Sequence, residues 1–192
     1  MPLDLNKIKE ALKELREKSK KRNFNQSIEL IINLRDIDIR KPEERIQDTI
    51  ELPNPIGKKV NVCVFATSDL ALRARRSGAD LVLERDEIEA LMNDKKRQRQ
   101  IAKEIDFFLA EAQLMPLIGR VFGAILGPRG KMPRPIPPTI DIEREIERCR
   151  RMVFVRTRGQ PVLQCRVGTE NMDDQAIAEN IQAVLNLSLI HI

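Results

Sequence analysis

One stretch of the chain combines residue types that could bind a phosphate group. Residues 126–135 read Leu-Gly-Pro-Arg-Gly-Lys-Met-Pro-Arg-Pro, a composition that predicts a shaped, positively charged loop rather than a helix or a strand. A phosphate-binding P-loop needs a hydroxyl after its glycine-lysine pair and a further glycine five residues before that pair. Met132 and Ile125 occupy those two positions, which argues against a nucleotide site. Taken alone, the segment is better interpreted as a rigid surface loop that packs Met132 and closes a small domain.

The sequence contains few side chains of the types that form metal sites or nucleophilic catalytic centres. The chain holds three cysteines, Cys63, Cys149 and Cys165, and one histidine. Their wide spacing is typical of reduced structural thiols and supplies no zinc ligand set. Asp106 and Glu111 could form a carboxylate pair, but we interpret them as a strand-end residue and a surface residue. We therefore predict no catalytic residues, no metal and no cofactor.

The charge pattern points to a polyanionic partner. With 34 lysines and arginines against 29 acidic residues, the net charge is +5 and the pI is near 9.3. Residues 13–22 hold six cations, and residues 144–166 hold seven arginines. Two basic segments that fold together would make a nucleic-acid surface, although a charged run on a helix is often only a solvated face. Tyrosine and tryptophan are absent from the sequence, so stacking on aromatic rings is not expected to be the main binding mode.

Hydrophobic periodicity distinguishes two kinds of segment, one with half-buried strands and one with short apolar strands that alternate with helices. Helical spacing over residues 5–15 is followed by alternation over 24–34 and 45–52, which predicts a helix and two half-buried strands. Residues 58–138 instead alternate short apolar strands with helices, which predicts a largely parallel sheet. Beyond residue 138 we predict a helix, two strands and a final helix, with the same kind of pattern as the N-terminal segment.

Two proline-rich segments flank the middle region. Pro53–Gly57 and the cluster Pro133–Pro138 are expected to be two crossings between domains. We therefore predict an α/β protein with a discontinuous α+β domain I, residues 1–57 and 139–186, and an inserted α/β domain II, residues 58–138. Neither flanking segment alone has enough strands for a stable sheet.

Four groups of residues, in order along the chain, match a known family. They are Asn23–Glu29, Asp106–Phe108 with Leu114–Gly119, Ile125–Pro133, and Val167-Gly168 with Met172. On these motifs the sequence resembles the L1 family of large-subunit ribosomal proteins, in its archaeal-like form, over nearly the whole chain. The resemblance implies that domain II is a Rossmann-like, three-layer α/β domain inserted into domain I.

The same resemblance implies a function that periodicity does not reach. A member of this family would be a structural constituent of the large ribosomal subunit, bound to large-subunit ribosomal RNA. There it forms the mobile stalk that assists release of deacylated tRNA from the exit site. Many members also bind their own messenger RNA and repress its translation. We expect a cytoplasmic protein of the ribosome, monomeric away from it, with no membrane partner.

The family pattern places RNA recognition in domain I. The residues carried over from the motifs are Phe24, Gln26, Ser27, Glu29 and Gly168. The candidates for phosphate contacts are Lys20, Lys21, Arg22, Arg156, Arg158 and Arg166. Polar side chains suit this role because folded RNA is recognised through its shape, phosphates and ribose hydroxyls. Two alternatives stay open: Phe24 as a core residue, and Glu29 as a solvated residue paired with Arg35 or Arg166.

The phosphate-like loop of domain II becomes the family signature under this resemblance. The signature residues are Gly127, Pro128, Arg129, Gly130, Lys131, Met132 and Pro133. They lie outside the domain that the family chiefly uses for ribosomal RNA, so the loop identifies the family rather than the RNA site.

Residues 187–192, Leu-Ser-Leu-Ile-His-Ile, depart from the family pattern. The family would continue the preceding helix, residues 173–186, with alanine and lysine, and would add a loop and a last strand of the RNA site. We interpret the tail, with the single histidine, as an artefact on a truncated chain; the alternative is a natural apolar extension of the helix. For a truncated chain we expect weakened RNA binding and an exposed sheet edge.

Two other functions stay open at this point. A ribosome-biogenesis or regulatory RNA-binding factor could use the same fold, and an α/β enzyme could bind a nucleotide in domain II. The second would need a glycine-rich turn after the first strand of that domain, and Phe65–Asp69 contains no glycine.

Overall fold

The structure is a computed structural model of the 192-residue chain. It describes residues 4–35, 37–38, 40–41, 46–157 and 159–190, and the side chains of residues 187–190 lie outside this description. The chain separates into two compact units. We call Met1–Lys58 with Arg151–Ile192 the terminal unit, and Lys59–Arg150 the inserted unit.

Helices and strands alternate through most of the described chain. In order they are α1 Leu5–Lys18, β1 Ser27–Asn33, β2 Gln47–Glu51, β3 Val62–Phe65, α2 Ser68–Arg76, β4 Leu81–Leu83, α3 Arg85–Ala90, α4 Lys95–Glu104, β5 Phe107–Glu111, α5 Met115–Leu126, β6 Arg134–Ile136, α6 Ile142–Arg150, β7 Met152–Arg156, β8 Val162–Thr169 and α7 Asp174–Ile190. The predicted mixed α/β fold is confirmed. In the described part of the chain, no helix has the length and apolar character needed to cross a membrane.

A parallel four-stranded sheet, in the order β4-β3-β5-β6, forms the centre of the inserted unit. Alternate residues of a strand face opposite sides of a sheet. On one side, Phe65 and Phe108 pack with Phe122 of α5; the ring centroids of Phe108 and Phe122 lie 5.9 and 5.6 Å from that of Phe65. On the other side, α2 and α6 pack together and contact β3. Helices thus cover both faces, which explains why all four residues of β3 are buried.

The inserted unit extends further along the chain than the sequence predicts. Domain II is expected to end at residue 138, whereas the inserted unit ends at Arg150. The difference is α6, which buries Ile142 and Ile146 and completes a helical layer. The expected crossing at Pro133–Pro138 is also wrong, because residues 134–136 form β6 beside β5. β6 has one neighbour in the described sheet, and such an edge position tolerates Pro135.

Asp80 holds the two ends of the inserted unit together. Its Oδ1 lies 2.6 Å from Nζ of Lys59, the first residue of the unit, and its Oδ2 accepts a hydrogen bond from the Val62 N–H at 3.0 Å. The guanidinium of Arg150, the last residue, lies 3.9 Å from Oδ2. Burial raises the pKa of Asp80, but these hydrogen bonds and the two cations outweigh it and lower the pKa below its ordinary value. The insert therefore begins and ends at one ion-pair cluster.

The terminal unit pairs strands from the two ends of the chain. β1 pairs with β8, and β2 pairs with β7, both antiparallel. The register shifts between Ile28, opposite Gly168, and Glu29, opposite Arg166, so Val167 is an extra residue that forms a β-bulge. Exposed and half-buried residues alternate along β1, as the sequence predicts. α1 packs against α7, and α7 packs against β8.

The last helix is longer than predicted. Its backbone runs from Asp174 through Ile190, four residues beyond the expected end at Asn186. Residues 191 and 192, including the single histidine, lie outside the described residues.

A buried asparagine joins the segment after β2 to the last helix and to β8. Asn180 on α7 is fully buried. Its Oδ1 accepts from the Asn54 N–H at 3.0 Å, and its Nδ2 donates to the carbonyl oxygens of Asn54 and Val167 at 3.0 and 2.8 Å. A buried amide is tolerated only when it is paired in this way. Asn180 thus satisfies backbone groups that the proline-rich segment cannot satisfy in a sheet.

We predict that Asn180→Leu destabilises the terminal unit. The substitution keeps the side-chain volume but leaves three backbone groups, one buried and two part-buried, without a partner, which should lower the free energy of unfolding by about 3 kcal/mol. Urea denaturation followed by circular dichroism measures this change. Asn186→Leu is the matched control, because Asn186 is exposed on the same helix and should shift stability by less than about 0.5 kcal/mol. Equal effects of the two substitutions would contradict the assignment.

The signature loop is a helix-capping structure. After α5, the N–H groups of Arg129 and Lys131 donate to the Leu126 carbonyl, and Gly130 adopts a left-handed φ of 67°. The Lys131 ammonium donates to the carbonyl oxygens of Ala102 and Ile105, at 3.2 and 2.6 Å. It therefore caps the C-terminal end of α4, where a cation is favourable. The expectation that the loop packs Met132 is wrong, because that side chain is 44% exposed while Pro133 is buried.

Lys131→Met should weaken the inserted unit, because two carbonyl groups at the end of α4 lose a charged donor. We expect the free energy of unfolding to fall by about 1.5 kcal/mol, measured by urea denaturation. Lys96→Met removes the same charge from an exposed position of α4 and should cost less than about 0.5 kcal/mol. If both variants lose the same stability, the loop lysine is not a cap.

Candidate nucleic-acid interface

A basic segment without regular structure leads from α1 into β1. The segment covers residues 19–26 and contains the exposed cations Lys20, Lys21 and Arg22. α1 ends before it because Ser19 adopts an extended conformation, its N–H still donating to the Leu15 carbonyl. Residues 19–26 include no acidic side chain, so the three cations create a concentrated positive potential, the electrostatic feature that attracts phosphates.

Phe24 lies on the surface near the end of this segment. Its side chain is 60% exposed, so the alternative of a core residue is wrong. The Arg22 guanidinium lies 5.9 Å from the centre of the Phe24 ring, a cation-π distance. An exposed ring beside an arginine offers a face on which an unstacked base can lie.

Gln26 is held by the protein itself. Its backbone N–H donates to Glu170 Oε1 at 3.1 Å, and its side-chain amide donates to Glu170 Oε2 at 3.3 Å and to the Lys20 carbonyl at 3.0 Å. The Glu170 N–H in turn donates to the Gln26 carbonyl at 2.9 Å. Both amide hydrogens of Gln26 are therefore engaged, and this side chain orders the basic segment.

Ser27 and Glu29 project from the exposed face of β1. Both residues are exposed, and they alternate with the half-buried Ile28 and Leu30. Glu29 Oε2 accepts a hydrogen bond from the Gln164 side-chain amide on β8 at 2.6 Å. The expected pairing of Glu29 with Arg35 or Arg166 is thus corrected, since its hydrogen-bond partner in the described chain is a neutral amide. The carboxylate oxygens can accept further hydrogen bonds beside the one from Gln164.

Two polar atoms near this face lack a partner in the described part of the chain. They are Nε of Arg166, which lies opposite Glu29 on β8, and Oγ1 of the buried Thr169, which lies opposite Ser27. Buried donors of this kind are normally satisfied by a partner, a water or a ligand. Both atoms are buried, so neither is offered to a ligand at the surface.

Gly168 contributes space rather than a contact. It is buried, and a Cβ at this position would lie 3.0 Å from Ile177 Cγ1 and 3.1 Å from Met172 Sδ. β8 packs closely on α7 and on the turn that precedes α7, and this packing leaves no room for a side chain at residue 168. This packing explains a glycine here more directly than an exposed role in binding does.

Several predicted site residues lie elsewhere. Arg156 is on β7, opposite Gln47 of β2, and has contacts of its own. Arg158 lies outside the described residues. The arginine-rich run is divided, because residues 144–150 belong to the inserted unit. Within the terminal unit, the Arg151 guanidinium lies 3.2 Å from the Glu51 carboxylate.

One carboxylate of the inserted unit is engaged by hydrogen bonds within the protein. Glu111, expected at the surface, is buried at the end of β5, where its Oε2 accepts from the N–H and hydroxyl of Thr67 at 3.1 and 2.7 Å. Throughout the described chain, no cluster of histidine, cysteine or carboxylate side chains could hold a metal ion.

The cysteines are structural. All three are free and buried. Burial, with a smaller effect of the Glu29 charge, raises the pKa of Cys165 to about 11, so its thiol is protonated at neutral pH. A protonated, buried thiol is a poor nucleophile, which agrees with the prediction of reduced structural thiols.

Sequence reasoning missed three residues that organise this surface: Glu170, Gln164 and Arg16. Arg16 belongs to the basic run 13–22, but it binds Asp174 and two backbone carbonyls instead of solvent. Each contact joins residues more than 130 positions apart, so no local pattern reveals them. The exposed basic segment itself had a local signal, namely three cations with no carboxylate among their neighbours in residues 19–26.

Comparison with known proteins agrees with the motifs. Residues 15–189 match the model described as "Ribosomal protein L1p/L10e family". The large ribosomal subunit protein uL1 of Thermofilum pendens is 49% identical over 180 residues, covering 93% of this chain and 80% of the relative. The proteins of the same name from Methanothermobacter thermautotrophicus and Methanocaldococcus jannaschii are each 48% identical, covering 93% and 96% of this chain and 84% of each relative. As the motifs predict, the chain belongs to the L1 family of ribosomal proteins, in its archaeal-like form, and it is not an enzyme.

Proposed function

We propose that the protein is a structural constituent of the large ribosomal subunit that binds large-subunit ribosomal RNA through the segment 19–26 and the exposed face of β1 and β8. The observation that carries this proposal is the convergence of cations, an exposed ring and polar strand residues on one surface. Membership of the L1 family supports it, since relatives are named as proteins of the large subunit.

Each part of this surface matches one kind of RNA group. Lys20, Lys21 and Arg22 bind phosphates, which positions the protein and gives most of the salt-dependent affinity. Phe24 stacks on an unpaired base. Glu29, which cannot face a phosphate, accepts from a ribose 2′-hydroxyl or a guanine edge. Its hydrogen bond from Gln164 keeps the carboxylate oriented.

The wider role follows the family. We propose that the bound protein forms the mobile stalk that assists release of deacylated tRNA from the exit site, and that free, monomeric protein represses translation of its own messenger RNA. The same surface serves both RNAs, because a structured messenger element that presents similar phosphates, riboses and bases meets the same groups. Binding of the two RNAs is then mutually exclusive, which couples repression to the supply of ribosomal RNA.

A nucleotide-using enzyme is disfavoured by the inserted unit. The N-terminal end of α2 follows β3, the position where related folds hold a phosphate. Here the Thr67 N–H already donates to the buried carboxylate of Glu111. A second anion at this place would meet that negative charge, and the segment lacks the glycine needed for close approach.

We expect the chain to bind a large-subunit ribosomal RNA fragment with strong salt dependence. If the surface neutralises about three to four phosphates, the logarithm of the association constant should fall with the logarithm of salt concentration with a slope of about −3. Filter binding at several salt concentrations measures this slope. An unrelated hairpin of equal length should bind more weakly at every salt concentration. Absent or salt-insensitive binding would overturn the proposal.

Variants separate stacking from charge. Phe24→Ala should lower affinity roughly tenfold with an unchanged salt slope, since one stacked base is lost, and the free energy of unfolding should change little because the ring is exposed. Arg22→Ala should make the slope shallower by about one unit. Leu72→Ala is the matched apolar control, as Leu72 is 53% exposed in the inserted unit. Loss of affinity in that control would point to a different surface.

A further inference from the structure

Arg16 on the last turn of α1 binds the turn between β8 and α7. Its Nε donates to Asp174 Oδ1 at 2.8 Å. Its two terminal nitrogens donate to the carbonyl oxygens of Glu170 and Met172, the latter at 2.7 Å. The side chains of Arg16 and Asp174 are each 34% exposed, so the pair is partly buried. The guanidinium is therefore committed to the protein, although it lies in a run of cations that suggests phosphate binding.

The turn that Arg16 holds is also the support of the RNA-binding segment. Glu170 accepts from both the backbone N–H and the side chain of Gln26, and its own N–H donates to the Gln26 carbonyl. Gln26 stands between Phe24 and Ser27. Hydrogen bonds therefore lead from Arg16 through Glu170 to Gln26, and the backbone joins Gln26 directly to Ser27 and through one residue to Phe24.

We propose that Arg16 is a positioning residue for RNA binding, acting through Glu170 and Gln26 on Phe24 and Ser27 without touching RNA. This inference rests on the proposed function. Residues 19–26 have no regular structure of their own, so without the support they would have to be ordered during binding. A segment that is already ordered in the free protein binds more tightly, because binding then costs less conformational entropy.

The geometry requires an arginine. Three acceptors surround the side chain, two carbonyl oxygens and a carboxylate, and the planar guanidinium presents donors to all of them from one position. A lysine carries the same charge but concentrates its donors on one tetrahedral nitrogen, so it cannot reproduce this fork. Arg16→Lys should therefore not restore the RNA affinity that Arg16→Met loses.

The test combines RNA binding with amide hydrogen exchange in the free protein. We expect Arg16→Met to lower affinity for the ribosomal RNA fragment roughly tenfold while the salt slope stays that of the wild type. The backbone amides of Gln26 and Glu170 should exchange faster, whereas the amides that pair β2 with β7 should not. Glu170→Gln should have a similar effect, and the double variant should lose little more than either single variant, since both break one chain of contacts.

Lys18→Met is the matched control. It removes one positive charge from the same turn of α1, where Lys18 is paired with the exposed Glu14. Its amide exchange at Gln26 and Glu170 should equal that of the wild type. The comparison removes the effect of net charge from the result for Arg16.

Three outcomes would overturn the inference. A salt slope shallower by about one unit in Arg16→Met would mean a direct phosphate contact. Unchanged affinity alongside faster exchange would mean a purely structural role, and full rescue by Arg16→Lys would mean that charge alone matters. If the wild-type chain itself does not bind the RNA fragment, the proposed function fails and this role fails with it. If the wild-type chain binds the RNA fragment and Arg16→Met binds it equally well, the proposed function stands and only the role of Arg16 is rejected.

Discussion

The pairing of β1 with β8 is the interaction on which the rest of the terminal unit depends. The two strands lie near opposite ends of the chain and are joined by seven paired positions. A two-stranded sheet is marginal without a covering layer, and here α7 supplies that layer with the buried side chains Ile177, Ile181 and Val184. α1 packs on α7 in turn. If this pairing is lost, the exposed face that carries Ser27 and Glu29 is lost with it.

Long-range pairing of this kind constrains the inserted unit. The chain must leave the terminal unit and return to it, and the unit meets this requirement by bringing its own first and last residues to Asp80. The low pKa of that carboxyl keeps it ionised, so the ion-pair cluster persists at neutral pH. An insertion with adjacent ends disturbs its host less than one with distant ends. The interruption of a sheet-forming chain by residues 59–150 is thus compatible with the pairing of β1 and β8.

Periodicity predicted elements better than it predicted partners. The helical spacing of Ile8 and Leu12 and the alternation along β1 are local signals, and both led to the right structure. β6 was missed because three of the residues from 133 to 137 are prolines, which normally indicate a break, whereas an edge strand tolerates them. α6 was assigned to the wrong unit since its amphipathic pattern shows that it packs, not on which sheet. Asn180 and Glu170 carry no local pattern, because their importance lies in residues more than 100 positions away.

Charge counting was the least reliable guide to the candidate surface, for a physical reason. On helices, cations recur near carboxylates at spacings of three and four, as in Glu14 with Lys18 and Glu145 with Arg148, and these pairs neutralise one another. Arg16 is neutralised in the same way by an ion pair with Asp174, which is distant in sequence. Residues 19–26 have no helical spacing and no acidic residue among them, and the carboxylate that contacts the segment, that of Glu170, binds the amide groups of Gln26 rather than a cation. A basic run therefore predicts a nucleic-acid surface best where it leaves a helix, and here that point coincides with the exposed ring of Phe24.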